Sequence, residues 1–360
     1  SSDSKSVTEG DTAAALNTSG QLTITDPDTG EAHVVAQTAA HGTYGDFSID
    51  ANGAWTYTGN GAHDELTAGQ VVSDTFTVTS QDGTASGTVT VTITGTNDVA
   101  IIDLDANNST ASGANYVGTF TDTGSAVAIA DTDVSITDPD NASMASATVT
   151  LTNAKAGDVL AVNGTLPSGI SVAIDSSFPG KIILTLSGSA TKADYNTALH
   201  QIVFSTSTNP DTTDRNLTVS INDGLASSNT AVSTIHVLDA TSPTVAAVAI
   251  NDTQITDADT GLTRTATITF SEAMDQTSTP TITTNAGTTL TGPTGGHWVD
   301  STHYALNYTV ADAGVSLANV TFNVSNAKDA AGNTQVAATN LASATSVDTQ
   351  NPTVSSEAIT

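Results

Sequence analysis

Several short runs set two aspartates one residue apart: Asp26-Pro27-Asp28, Asp103-Leu104-Asp105, Asp131-Thr132-Asp133 and Asp138-Pro139-Asp140. Alternate residues of an extended chain share a side, so each run aims two carboxylates the same way. Hard oxygen ligands in that arrangement are what a calcium ion takes from a protein. The same runs serve equally as Asx turns facing water, and spacing alone leaves both readings open. Two more acids stand at a repeated junction. Asp239-Ala-Thr-Ser-Pro243-Thr-Val245 returns as Asp348-Thr-Gln-Asn-Pro352-Thr-Val354, with the same distance from acid to proline. Proline suits the first residue of an edge strand, and the aspartate before it places an oxygen ligand at the seam. Two copies of one hinge bracket one domain, and the second copy suggests a piece of a longer array.

Composition narrows the chemistry. The chain carries 7 Lys and Arg against 37 Asp and Glu, a formal net charge of -30, and no cysteine. Nucleic acid needs clustered cations, and here they are scattered singly, so nucleic acid is excluded and an anionic membrane surface disfavoured. That much negative charge opposes a compact state unless something neutralises it, and divalent cations are the obvious candidate. Lack of cysteine removes disulfides, thiolate catalysis and sulfur-ligated zinc, so calcium is the expected staple. No apolar run has transmembrane length, and no direct membrane insertion is expected. None of the seven histidines forms a ligand pair at helical spacing, His297 and His303 flank an expected loop around Trp298, and no serine lies in a nucleophile elbow. Catalysis therefore has no positive support. Asp26-Pro27-Asp28-Thr29-Gly30 lacks the glycine and the closing glutamate of an EF-hand loop, and no Gly-Gly-x-Gly-x-Asp run occurs.

The elements that must position these acids read as strands. Thr, Ser, Val, Ala, Asp and Gly dominate, which suits strands and turns rather than helices. Ser86–Thr94 alternates Val and Ile with Thr, the period of a half-buried strand, and pairs with a strand at Asp74–Thr79 across a Gln81-Asp82-Gly83 turn. Leu22-Thr-Ile-Thr-Asp26-Pro-Asp28-Thr-Gly30, Tyr44-Gly45, Gly53-Ala-Trp55-Thr-Tyr57, Leu66-Thr-Ala-Gly69, Asp74-Thr-Phe76, Asp82-Gly83 and Gly95-Thr-Asn97-Asp98 follow in the order of a VCBS repeat. The resemblance spans residues 1–98 and implies a cadherin-like sandwich of the kind strung along large bacterial surface adhesins, including those with RTX ends. Candidate ligands in it are Asp26, Asp28, Asp82, Asn97 and Asp98. The proline usual after the closing Asn-Asp is replaced by Val99-Ala100.

Residues 99–239 hold one expected helix, with Thr191 as N-cap and Asp194 completing a capping box. Strands are expected at Ile182–Leu186 and Ile202–Phe204, and a hairpin at 216–237 turning on Asn222-Asp223-Gly224. Gly157-Asp158, Leu166-Pro-Ser-Gly169-Ile170, the helix, the hairpin turn and Asp239 resemble a larger cadherin-like module. Its candidate ligands are Asp103, Asp105, Asp138, Asp140, Asp223 and Asp239. Over 240–349, Ala266-Thr-Ile268-Thr-Phe270-Ser-Glu272, Val320-Thr-Phe322-Asn-Val324 and Asp329-Ala-Ala-Gly332-Asn333 resemble bacterial Ig-like domains. That resemblance places acids near the poles of the sandwich, where a neighbour abuts, and makes Glu272, Asp329 and Asp348 calcium candidates, followed by Asp257 and Asp259. Residues 350–360 read as the start of a following domain.

The sequence thus predicts an all-β chain of three tandem Ig-like/cadherin-like β-sandwich domains joined by short acidic linkers. The expected function is a non-catalytic, calcium-stiffened extender of a large bacterial cell-surface adhesin, extracellular and monomeric. Its expected partners are the neighbouring domains of its own chain, with surface glycans or proteins met by other regions. The alternative is a glycan- or protein-binding adhesion module, centred on the middle domain. An aromatic content of 4% argues against the alternative, and Trp55 and Trp298 read as core residues.

Overall fold

The computed structural model describes residues 1–28 and 30–353. Residues 354–360, the last residue of the second hinge copy and most of the following domain assigned to 350–360, lie outside the described residues. The chain is all-β, with three separate hydrophobic cores in tandem, spanning Leu16 to Ile93, Ala100 to Val237 and Val248 to Val347.

In the first domain the alternating run Ser86–Thr94 is the central strand of a three-stranded sheet. Its Val89, Val91 and Ile93 are fully buried while the intervening threonines are not. Val71–Thr79 pairs antiparallel on one side and Asp3–Thr8 parallel on the other. A four-stranded sheet, in the order Thr18–Gln21, Ala54–Gly59, Gly45–Ile49, Gln37–His41, faces it. Phe47, Trp55 and Tyr57 from this second sheet meet Phe76 from the first, Phe47 and Phe76 stacking with ring centroids 4.7 Å apart. Trp55 belongs to the core, and its indole N–H donates to Asp3 Oδ2 at 3.0 Å.

The second domain is built on a six-stranded sheet in the order Ser171–Asp175, Ile182–Thr191, Ser143–Leu151, Arg215–Asn222, Ala231–Leu238, Tyr116–Thr121. The expected hairpin is its Arg215–Asn222/Ala231–Leu238 pair. The expected helix is Lys192–His200, with the capping box formed: Thr191 Oγ1 accepts from the Asp194 amide, and the Asp194 carboxylate accepts from Thr191. Tyr195, Ala198 and Leu199 turn its inner face into the core. The guanidinium of Arg215 and the carboxylate of Asp158, both without side-chain exposure, form a buried ion pair at 2.6 Å.

The third domain pairs the strands Val245–Ile250, Thr263–Phe270, His303–Val310 and Leu290–Trp298 in that order. A second sheet of Thr281–Thr284, Thr321–Ser325 and Ala338–Ala342 covers it. The run expected as a loop around Trp298 is strand up to Trp298 itself. Its indole packs on Phe270 and Tyr304 and donates to the Ser278 carbonyl at 2.8 Å, and aromatic packing draws the chain into the sheet.

Candidate metal centres at the two junctions

The first junction follows from a parallel pairing. Because Asp3–Thr8 and Ser86–Thr94 run the same way in register, their last residues end side by side, and the Glu9 amide continues the ladder to the Thr94 carbonyl at 3.0 Å. Glu9 and the linker Gly95–Asp98 therefore share one pole. Glu9 Oε2 accepts from the Thr96 amide at 2.6 Å, while its Oε1 meets no donor although the residue is 4% exposed. Glu9, Asp64 and Asp98 each offer an oxygen, all within 4.8 Å of one another. Asp64 Oδ1 and Asp98 Oδ2 also lack a donor. Burial, reinforced by the charges of Asp64 and Glu9, pushes the Asp98 carboxyl up to about 6.

The second domain meets this pole with its own acids. Asn97 Nδ2 donates to Asp223 Oδ2 at 2.9 Å, and Asn141 Nδ2 donates to Asn97 Oδ1 at 3.0 Å. Beside them the Asp138 and Asp140 side chains are 6% and 9% exposed, and Oδ2 of each has no donor. Burial, with the like charge of Asp140, raises the Asp138 carboxyl against the pull of the Asn141 amide. Lys192 Nζ, from the start of the helix, donates to the carbonyls of Asp138 at 2.7 Å and Asn141 at 2.9 Å.

The second junction assembles differently. Asp239 follows the last strand of the second domain, and Glu272 follows Thr263–Phe270 in the third. An isolated bridge between Met274 and Asp329 brings the Asp329 turn alongside Glu272. Oxygens of Asp239, Glu272 and Asp329 lie within 4.8 Å of one another. Asp329, almost wholly buried, accepts from the Asn333 amide at 2.8 Å and from Asn333 Nδ2 at 2.9 Å. Asn333 Nδ2 also donates to the Asp239 carbonyl at 3.0 Å, tying the turn to the linker. Glu272 is 8% exposed and its Oε1 has no donor. Burial and then the charges of Asp239 and Asp329 push Glu272 up to about 7. Asp122, at the end of Tyr116–Thr121, clamps the linker by accepting from the Ala240 amide at 2.9 Å and Thr241 Oγ1 at 2.6 Å.

Other sequence-predicted ligands fall elsewhere. Asp26 and Asp28 meet Glu31 within 4.8 Å near the other end of the first sandwich, where the Asp28 amide donates to Asp26 Oδ1 in an Asx turn. Asp82 is exposed, and hydrogen bonds from Ser80 and Thr84 hold its carboxyl down at about 2. Asp105 groups with Asp131 and Asp133, yet it is fully buried and both its oxygens are taken by Ser109, Thr110 and Ala111. Asp103 Oδ1 accepts from the Asp105 amide. Asp259 caps Thr256 and pairs with Arg264 at 2.6 Å, so its charge is already answered. Asp257 and Asp348 join no acidic group among the described residues. Glu9, Asp64 and Asp122 are not among the sequence candidates, because the residues they meet lie 34 to 119 positions away and no local spacing marks them.

Carboxylate oxygens gathered within 4.8 Å in a partly buried site repel one another, and a cation between them relieves that repulsion. The donor sets are all oxygen, which fits a hard cation such as calcium, and the undonated buried oxygens are where it would bind. At the first junction Glu9, Asp64 and Asp98 would hold it, with the undonated oxygens of Asp138 and Asp140 from the second domain nearby, and at the second Asp239, Glu272 and Asp329.

Residues 1–95 match the family model of the bacterial cadherin-like domain. No curated protein matches the sequence. Among solved structures, the chain is similar to the extracellular cadherin domains 1–5 of protocadherin gamma B2, with 13% identity, 96% of this chain and 58% of that chain covered, and a TM-score of 0.40. The human desmocollin-1 ectodomain is 12% identical over 99% of this chain and 59% of its own, with a TM-score of 0.29. Drosophila N-cadherin EC1-4 is 14% identical over 96% of this chain and 71% of its own, also at 0.29. The chain thus spans less than two thirds of the first two. Among the described residues no helix is long and apolar enough to cross a membrane.

Proposed function

We propose that this chain is a non-catalytic extender of a large bacterial cell-surface adhesin, stiffened by calcium at its two junctions. Cadherin-like domains are extracellular adhesion or extender modules that generally bind calcium, and the first domain matches that family. One observation carries the reading. At both junctions, acids from the end of one sandwich or its linker lie beside buried carboxylate oxygens that no donor satisfies. Bound calcium neutralises each set and ties consecutive domains together, and without it the acids repel and the linkers flex. Extracellular calcium is millimolar, which fills the weak sites of extracellular modules. The RTX and VCBS affinities, the Ig-like relationship of the third domain and a role in biofilms belong to the same proposal.

The test is small-angle scattering with a parallel thermal melt, in millimolar calcium and in chelator. Calcium should narrow the distribution of maximum dimensions and raise the melting temperature. Superimposable curves in the two conditions would sink the proposal.

A further inference from the structure

We propose that Lys192 presets the Asp138–Asn141 loop to receive a divalent cation at the first junction, acting as a positioning residue; this rests on the calcium reading of that junction. Lys192 Nζ bridges two carbonyls three residues apart, Asp138 at 2.7 Å and Asn141 at 2.9 Å, and so closes the loop from outside. Within the loop the Asn141 amide donates to Asp138 Oδ1 at 2.7 Å, and Asn141 Nδ2 donates to Asp140 Oδ1 at 3.0 Å. These bonds occupy one oxygen of each aspartate and leave each Oδ2 buried without a donor. The selection of one oxygen per carboxylate is therefore a property of the closed loop, and Lys192 closes it. The anchor is itself fixed, because the Thr191/Asp194 capping box holds the backbone where the lysine emerges. Asn141 carries the arrangement across the junction through its bond to Asn97.

Removing Lys192 has two opposed effects on a bound cation. Losing a nearby positive charge favours the ion, whereas losing the tether frees both carbonyls and lets the aspartates rotate away. The ammonium is directed at backbone carbonyls, and outer partners that orient ligands are typically worth roughly 10- to 100-fold in metal affinity, so positioning wins. Lys192→Met keeps an unbranched side chain without the charge. Lys192→Arg keeps the charge but replaces a compact three-donor head with a planar fork.

The experiment is a calcium titration of isotope-labelled 360-residue chains by NMR, following the side-chain amides of Asn97 and Asn141, with the Val149 and Val219 amides reporting an intact second core. Lys192→Met should raise the half-saturating calcium concentration roughly tenfold or more, with Lys192→Arg falling between it and the parent. Should Lys192→Met lose its core signals, Lys192→Arg decides alone, and weaker binding supports the proposal. Equal or tighter binding in the folded variants overturns it. Failure of the parent chain to shift these amides with calcium overturns the proposal and removes the calcium reading of this junction as well, which separates the two failures.

Discussion

At the first junction a lysine reaches the acidic loop from a capped helix, whereas at the second, among the described residues, Asp122, Asp239, Glu272 and Asp329 form no ion pair with Lys or Arg. The second junction relies on neutral donors, chiefly Asn333 and the Ala240–Thr241 segment. Its central acid is raised to a similar degree, Glu272 from 4.5 to about 7 and Asp98 from 3.8 to about 6. A resident cation organises part of a site before any metal arrives, so the first junction should hold its shape better in chelator. The second should depend on the ion more completely.

Chelation is expected to have the largest effect and to separate the two. A weak extracellular-type site in millimolar calcium sits at up to roughly ten times its Kd, which contributes about 1.4 kcal/mol. For a domain of this size that is a fall in Tm of about 5–10 °C on its removal, larger for the third domain than for the first two. Calorimetry of the whole chain with and without chelator reads the transitions of the three domains, and a third domain less sensitive than the first two would break the comparison.

Substitution of Glu272 should come next in size, with opposite signs in the two conditions. Glu272→Gln removes an unpaired buried charge, so in chelator the third domain should gain roughly 5 °C. In calcium it should lose stability, because a ligand is gone. A shift of the same sign in both buffers would remove Glu272 from the metal site.

The pH dependence in chelator sharpens the same point. Both Glu272 and Asp98 have folded-state values raised above their unfolded ones, so the folded protein holds the proton longer. Stability from these groups is fully present below about pH 4 and falls as pH rises, until about 7 for Glu272 and about 6 for Asp98. Melts between pH 4 and 8 should show the third domain declining to a higher pH than the first, and saturating calcium should flatten both slopes.

Smaller effects come from the neutral ties. Asn333→Ala removes the bonds to Asp329 and to the Asp239 carbonyl and should cost about 1–3 kcal/mol in the third domain, measured by urea unfolding. Asp82→Asn should leave every calcium response unchanged, since Asp82 is exposed and only caps its own turn. A shifted calcium titration in that variant would place a further site at the Ser80–Thr84 turn.

Much of the fold is legible in sequence because its signals are local. The Val89-Val91-Ile93 alternation, the Asp82-Gly83 turn and the Thr191/Asp194 box each specify structure within a few residues, and each appears as expected. Acid pairs are local too, but what decides their role is not. Asp138-Pro139-Asp140 ends with buried, undonated oxygens, whereas Asp103-Leu104-Asp105 turns its second acid into five donors from its own loop. Nothing in the two runs distinguishes them until the neighbouring loops are in place. Glu9 is brought to Asp98 by a parallel pairing of strands about ninety residues apart, a relation with no periodic trace.

That parallel pairing also sets how the chain would respond to being pulled. In the first domain the opening strand Asp3–Thr8 and the closing strand Ser86–Thr94 run side by side in the same direction through six residue pairs. Opposite forces on the two ends of the domain act along these strands, so the ladder is loaded in shear and its bonds share the tension together. The closing strands of the other two domains also have a parallel partner, Tyr116–Thr121 in the second and Gln254–Thr256 in the third, but those domains open with Ile101–Asp103 and Val245–Ile250, which pair antiparallel with other strands. The first domain under drag would then give way by concerted rupture of a whole ladder, a slower event than peeling bonds open one after another.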